Sequence, residues 1–308
     1  ADGSGTSYAA KATITMTSDV MLYAQWVATT ASYTVEHYLG IENQAGKYEY
    51  TLQDTEYLAG TTGEPSTLSD AEWESLTAHA LTRIAGRVRV IVGTGSNNLR
   101  VTLRRAGFAA DHGADAQLCV TPYYNKATQA GLYAYFTRIA DECALPVMLY
   151  NVPARTGLNM LPETCAGLAH HPGVIGVKEA SDDLGQLARL TALTPLPVYC
   201  GSDQWMAPAL RLGARGVISV LANLCPEAVR ILCQSQQKGC EQSAAAQQRH
   251  LAALTDALFC EVSPSPVKYA LSLLGLCRAE VRLPLVPLQP DSRERLQSLL
   301  ARHGLLPA

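Results

Sequence analysis

Short apolar runs recur along most of this chain, and helix-like stretches fill the gaps between them. The runs fall at residues 88–92, 116–120, 147–150, 174–178, 196–200 and 216–220. Each has the length and composition of a strand buried on both faces. Stretches of helical character at 99–112, 131–143, 161–170 and 184–193 separate them. This alternation predicts parallel β/α architecture, because parallel neighbours need a crossover that a helix supplies. Residues 55–62 offer a seventh, more polar strand. From residue 226 onward only helical patterns occur, at 226–239, 242–260, 266–276 and 291–303.

The front of the chain has a different rhythm. Thr13-Ile14-Thr15-Met16-Thr17 and Met21-Leu22-Tyr23-Ala24-Gln25-Trp26 alternate polar and apolar positions, which predicts short antiparallel strands. Seven of the 14 tyrosines lie before residue 60, whereas no cysteine precedes Cys119 and no arginine precedes Arg83. Residues 1–59 hold two lysines and seven acids, net −5; the whole chain is −3, so the remainder is +2. Three regions are expected: a β-rich segment 1–59, a β/α region 60–225 and a helical region 226–308.

Composition narrows the function. With 308 residues, 48% of them hydrophobic, the chain can bury a large core. It has no basic run, which argues against nucleic acid as a partner, and no apolar run of about 18 residues to span a membrane. The nine cysteines form no C-x-x-C pair and several sit inside apolar runs. That pattern suits reduced thiols in a cytoplasmic enzyme, not a disulfide or zinc framework. The seven histidines show no ligand spacing, so no metal is expected.

Lys178 is the strongest chemical signal. It ends the run Val174-Ile175-Gly176-Val177, where an ammonium is costly unless it has a task. Tyr150 ends the preceding run, Val147-Met148-Leu149. One βαβ unit should make the two strands parallel neighbours and bring both side chains to the same C-terminal edge. A lysine beside a phenol suits amine catalysis. The neutral amine attacks a carbonyl and the phenol moves protons.

Several motifs then fall in a familiar order. They are Gly60-Thr61-Thr62-Gly63-Glu64, Gly93-Thr94-Gly95, Thr121-Pro122-Tyr123-Tyr124-Asn125, the segment from Tyr150 to Gly157, Gly176-Val177-Lys178-Glu179, Gly201-Ser202-Asp203, Gly216-Val217-Ile218-Ser219 and Pro264-Ser265-Pro266-Val267-Lys268. With them the chain from 60 to about 305 resembles the dihydrodipicolinate synthase family of pyruvate-dependent, class I aldolase-like lyases. The resemblance implies a (β/α)8 TIM barrel with a C-terminal helical extension, assembled as a dimer of dimers. It implies pyruvate and L-aspartate semialdehyde as substrates, and a place in lysine and diaminopimelate biosynthesis. Lys178 then matches the Schiff-base lysine, so no cofactor is needed beyond its covalent link to pyruvate. Tyr150 matches the proton donor and acceptor. Thr61 matches its relay partner, and Tyr124 the relay tyrosine that enters a neighbouring subunit's site. Thr62 matches a pyruvate-carboxylate ligand, Gly201 and Ile218 backbone contacts to substrate, and Arg155 the ligand of the second substrate's carboxylate. Lys268 matches a motif too, but its helical setting reads as structural.

Residues 1–59 lack the family's first strand and helix. Ser18 to Trp26 and Tyr33 to Leu39 instead resemble repeat modules of bacterial surface proteins. The expected architecture is therefore a barrel without its native first β/α unit, behind a foreign β-rich segment. Three other readings stay open. They are an N-acetylneuraminate lyase or keto-sugar-acid aldolase of the same superfamily, a surface adhesion protein, and an inactive chimeric relic.

Overall fold

A computed structural model describes residues 55–306. Seven parallel strands form one curled sheet in chain order. They are β1 (Thr55–Leu58), β2 (Arg89–Gly93), β3 (Ala116–Val120), β4 (Val147–Asn151), β5 (Val174–Glu179), β6 (Val198–Cys200) and β7 (Gly216–Val217). The interleaved helices are α1 (Asp70–Ile84), α2 (Leu99–Asp111), α3 (Gln129–Glu142), α4 (Pro153–Thr156), α5 (Pro162–Leu168), α6 (Leu184–Leu193) and α7 (Met206–Arg211). Four more follow: α8 (Pro226–Gln237), α9 (Glu241–Leu258), α10 (Ser265–Leu273) and α11 (Pro290–Arg302).

Alternation along the strands sorts the side chains into two sets. Ile91, Leu118, Met148, Tyr150, Tyr199 and Ile218 share one buried cluster on the inner face. Val147, Leu149, Val177, Val198 and Cys200 point the other way and pack beneath the helices. A third cluster joins Leu221 to Leu251, Leu254, Leu296 and Leu300, and docks the C-terminal helices onto the end of the sheet.

Two expectations are corrected. The polar stretch at 55–62 does supply a strand: β1 lies before the expected boundary at residue 60, and it pairs in parallel, Leu58 opposite Val92. That differs from the antiparallel pattern expected of residues 1–59. The strand expected at 216–220 stops at Val217, although Ile218 still donates its N–H to the Cys200 carbonyl at 2.8 Å. The chain then turns into a 3-10 segment, Leu221–Asn223, because the buried Asp203 carboxylate accepts the Leu221 N–H at 2.8 Å. The remaining expectations for residues 1–54, including the surface-repeat segment and the replaced first β/α unit, lie outside the described residues.

Helix α1 has no counterpart among the predicted elements. Ser69 caps it, accepting from Glu72 N–H while the Glu72 carboxylate accepts from Ser69 N–H, a complete capping box. The same carboxylate receives both arms of Arg282, each at 2.8 Å, which ties α1 to the C-terminal region. The guanidinium, followed by the Ser69 contacts, holds the Glu72 carboxyl down at about 2, against its ordinary 4.5. A carboxyl depressed in the folded state stabilises above its unfolded pKa, and that stability is lost as pH falls through the folded value. Acid unfolding should therefore steepen between about pH 4.5 and 2. Glu72→Gln is expected to remove that part of the slope in melting curves taken across the window.

All nine cysteines are free. Burial pushes the thiols of Cys119, Cys165, Cys200, Cys225 and Cys233 up to about 12, so these remain protonated. Cys240 and Cys260 are exposed. No helix among the described residues is long and apolar enough to cross a membrane.

Candidate active site

Parallel pairing sets Tyr150 opposite Lys178 across β4 and β5, both on the inner face near the strands' C-terminal ends. The Lys178 ammonium nitrogen stands 4.4 Å from the Tyr150 ring centroid. A cation over a phenol face is attracted by the ring quadrupole, which stations the amine inside the cleft. Gly201 gives the lysine its room. A Cβ there would lie 3.0 Å from Lys178 Cε and 2.9 Å from Ala180 Cβ, so any larger residue would push against the side chain.

The cleft is open to solvent. Its walls include Thr61, Thr62, Leu118, Lys178, Ile218 and Ser219. Thr61–Gly63 forms a single 3-10 turn, closed by Gly63 N–H to the Gly60 carbonyl at 2.9 Å. Glu64, next in the chain, takes a left-handed φ of 53° and is 7% exposed. Its carboxylate pairs with the buried Lys268 ammonium at 2.5 Å and accepts the Arg282 N–H at 3.2 Å. Lys268 is thus structural, as its helix suggested, and it anchors the turn that presents both threonines.

The sequence-predicted residues divide into three groups. Lys178, Thr61, Thr62 and Ile218 line one cleft, with Tyr150 beneath the lysine and Gly201 behind it. The Gly201 and Ile218 N–H groups are already committed to the Glu179 and Cys200 carbonyls, each at 2.8 Å. Any backbone contact to a substrate would fall to their own carbonyl oxygens. Tyr124 and Arg155 stand apart from the cleft wall. Tyr124 is 91% exposed with φ 70°, and Arg155 is exposed, donating to the Ser263 carbonyl at 3.2 Å. Among the described residues no hydrogen bond joins Tyr150 to Thr61 or Tyr124.

Asp203 and Glu64 escaped the sequence reading as partners, although both stand in quoted motifs. Burial pushes the Asp203 carboxyl up, opposed by hydrogen bonds from Ser219 and the Leu221 N–H and by the Lys178 charge. It joins the loops after β6 and β7, next to the cleft.

A lysine stacked on a tyrosine at the C-terminal edge of a curled parallel sheet suits amine catalysis, and the family this chain matches is one of aldolase-like lyases. The chain belongs to the dihydrodipicolinate synthetase family, whose profile matches residues 50–303. The 4-hydroxy-tetrahydrodipicolinate synthase of Exiguobacterium sp. is 45% identical over 249 residues, 80% of this chain and 85% of the relative. The enzyme of that name from Thermomicrobium roseum is 46% identical over 246 residues, 79% and 81% of the two chains. The solved dihydrodipicolinate synthase of Aquifex aeolicus superposes with a TM-score of 0.81 at 32% identity, covering 89% of this chain and 98% of that one.

Proposed function

We propose that this protein condenses pyruvate with L-aspartate semialdehyde to 4-hydroxy-tetrahydrodipicolinate, a step of lysine and diaminopimelate biosynthesis in the cytoplasm. The observation that carries the reading is the Lys178–Tyr150 pair in a cleft walled by Thr61 and Thr62. Lys178 Nζ, as the neutral amine, attacks the keto carbon of pyruvate, and water leaves to give an iminium. The iminium withdraws electrons so that C3 loses a proton, and the resulting enamine attacks the aldehyde carbon. The semialdehyde's own amino group then adds to the iminium carbon, closing the ring and expelling Lys178 as the free amine. No metal takes part. Tyr150 hands protons in and out of these steps. Thr62 holds the pyruvate carboxylate through its hydroxyl and N–H, and Thr61 relays protons from Tyr150.

Tyr124 and Arg155 take their parts in an oligomer built as a dimer of dimers. The exposure of Tyr124 supports this, since its ring has room to enter a neighbouring subunit. Arg155 receives the carboxylate of the second substrate, a task suited to a guanidinium fork. A foreign segment, read from the sequence as residues 1–59, stands in place of the first β/α unit. Residues 1–49 lie outside the family match, which begins at residue 50 and so already takes in residues 50–59.

The test is condensation of pyruvate with L-aspartate semialdehyde, compared with N-acetylmannosamine as aldehyde. Product from the semialdehyde is expected; product from the amino sugar alone would favour the sialate-lyase alternative. Tyr150→Phe should leave pyruvate binding intact and slow turnover on the order of 10²–10⁴, the usual weight of a general acid/base.

A further inference from the structure

We propose that Glu179 is a positioning residue: with Asn151 it pins β4 to β5 from the outer face and so sets Lys178 over Tyr150 on the inner one. The proposal rests on the lyase reading of that pair.

Register supplies the geometry. Where Tyr150 faces Lys178, the next residues, Asn151 and Glu179, face each other on the opposite side of the sheet. Asn151 is fully buried and Glu179 is 3% exposed. Asn151 Nδ2 donates to both Glu179 oxygens, at 3.2 and 3.1 Å. Ser181 N–H and Gln186 Nε2 donate to the same carboxylate at 2.8 and 3.2 Å. Asn151 Oδ1 in turn accepts the Met160 N–H at 2.9 Å, so the amide cannot flip without losing a bond.

The setting makes this carboxylate costly. Leu149, Val177 and Cys200 occupy the same outer face, and no ion pair neutralises Glu179 among the described residues. Desolvation pushes its carboxyl up despite the hydrogen bonds it receives. An apolar pair would pack there at lower cost, but it would not fix orientation. Orientation needs fixing here. The pairing of β4 with β5 is irregular between Val147 and Met148, where Val174 and then Gly176 meet successive β4 residues. Such a bulge disrupts the ladder locally and adds twist. From Met148 and Gly176 the pairing is regular again, and Asn151–Glu179 fixes its end immediately beside Lys178 and Tyr150.

A double-mutant cycle tests the role. Glu179→Gln keeps the shape but turns one acceptor into a donor that faces donors. It should lower kcat about ten-fold, with KM for pyruvate changed less than about two-fold. In a Tyr150→Phe background the same change should cost less than about two-fold, because the geometry it protects has lost its proton carrier. Asn151→Ala is run through the same cycle, so that poor folding of one variant does not remove the test. Equal fold-losses in both backgrounds, or no loss in folded protein, would overturn the clamp. Borohydride trapping of pyruvate on the parent protein separates the two ideas. Trapping on Lys178 with an additive cycle removes only the clamp; no trapping removes the lyase reading with it.

Discussion

Borohydride reduction in the presence of pyruvate is expected to leave one reduced pyruvyl adduct, on Lys178. Lys178→Ala should take up none and lose turnover by at least about 10⁴-fold, the scale seen when a nucleophile is deleted. The described residues contain three other lysines, and each provides a control. Lys126 and Lys238 are exposed, with no phenol face beneath them and no part in the cleft wall. Lys268 is 2% exposed and already paired with Glu64. Among the described lysines only Lys178 both lines the cleft and stands over a tyrosine ring. Labelling that persists in Lys178→Ala, located by peptide mass mapping, would move the nucleophile elsewhere and sink the assignment.

Lys268→Met should be the most damaging single change to stability. Its ammonium is the buried counter-charge of Glu64, at 2.5 Å. Removing one partner of such a pair leaves an uncompensated charge and costs about 3–5 kcal/mol. The loss should appear as a lower denaturant midpoint with an unchanged slope. Glu64→Gln combined with Lys268→Met should recover much of it, because the stranded charge is then gone. Function should follow. Glu64 sits in the left-handed region directly after the Thr61–Gly63 turn, a conformation its anchored side chain helps to hold. Loosening the anchor should raise KM for pyruvate more than it lowers kcat. A single Lys268→Met variant as stable as the parent would show that the pair contributes nothing.

The strand–helix rhythm was legible because a strand buried on both faces must be apolar throughout. Residues 88–92, 116–120 and 147–150 announced β2, β3 and β4 to within a residue. Lys178 was legible for the converse reason, since an ammonium closing such a run stands out. Helix α1 was not, although its capping box is written in Ser69 and Glu72. Its inner face, Trp73, Leu76, Ala80 and Ile84, has helical spacing but forms a thin stripe among polar residues. The 55–62 strand was ambiguous because β1 is short and polar, and its parallel pairing comes from β2.

By itself the sequence determined the alternation of strands and helices from β2 onward, the placing of Tyr150 beside Lys178 on neighbouring strands and the family. These depend on local composition and on fixed periodicities, which the chain carries in one dimension. Tertiary structure alone decided that Glu64 meets Lys268 across 204 residues and that Asn151 meets Glu179 on the outer face. It also decided that Gly201 clears space for the lysine, while Tyr124 and Arg155 stand off the cleft wall. Each is a contact between residues remote in the chain. Its energy arises only when burial removes water from both partners, and no local pattern records where that happens.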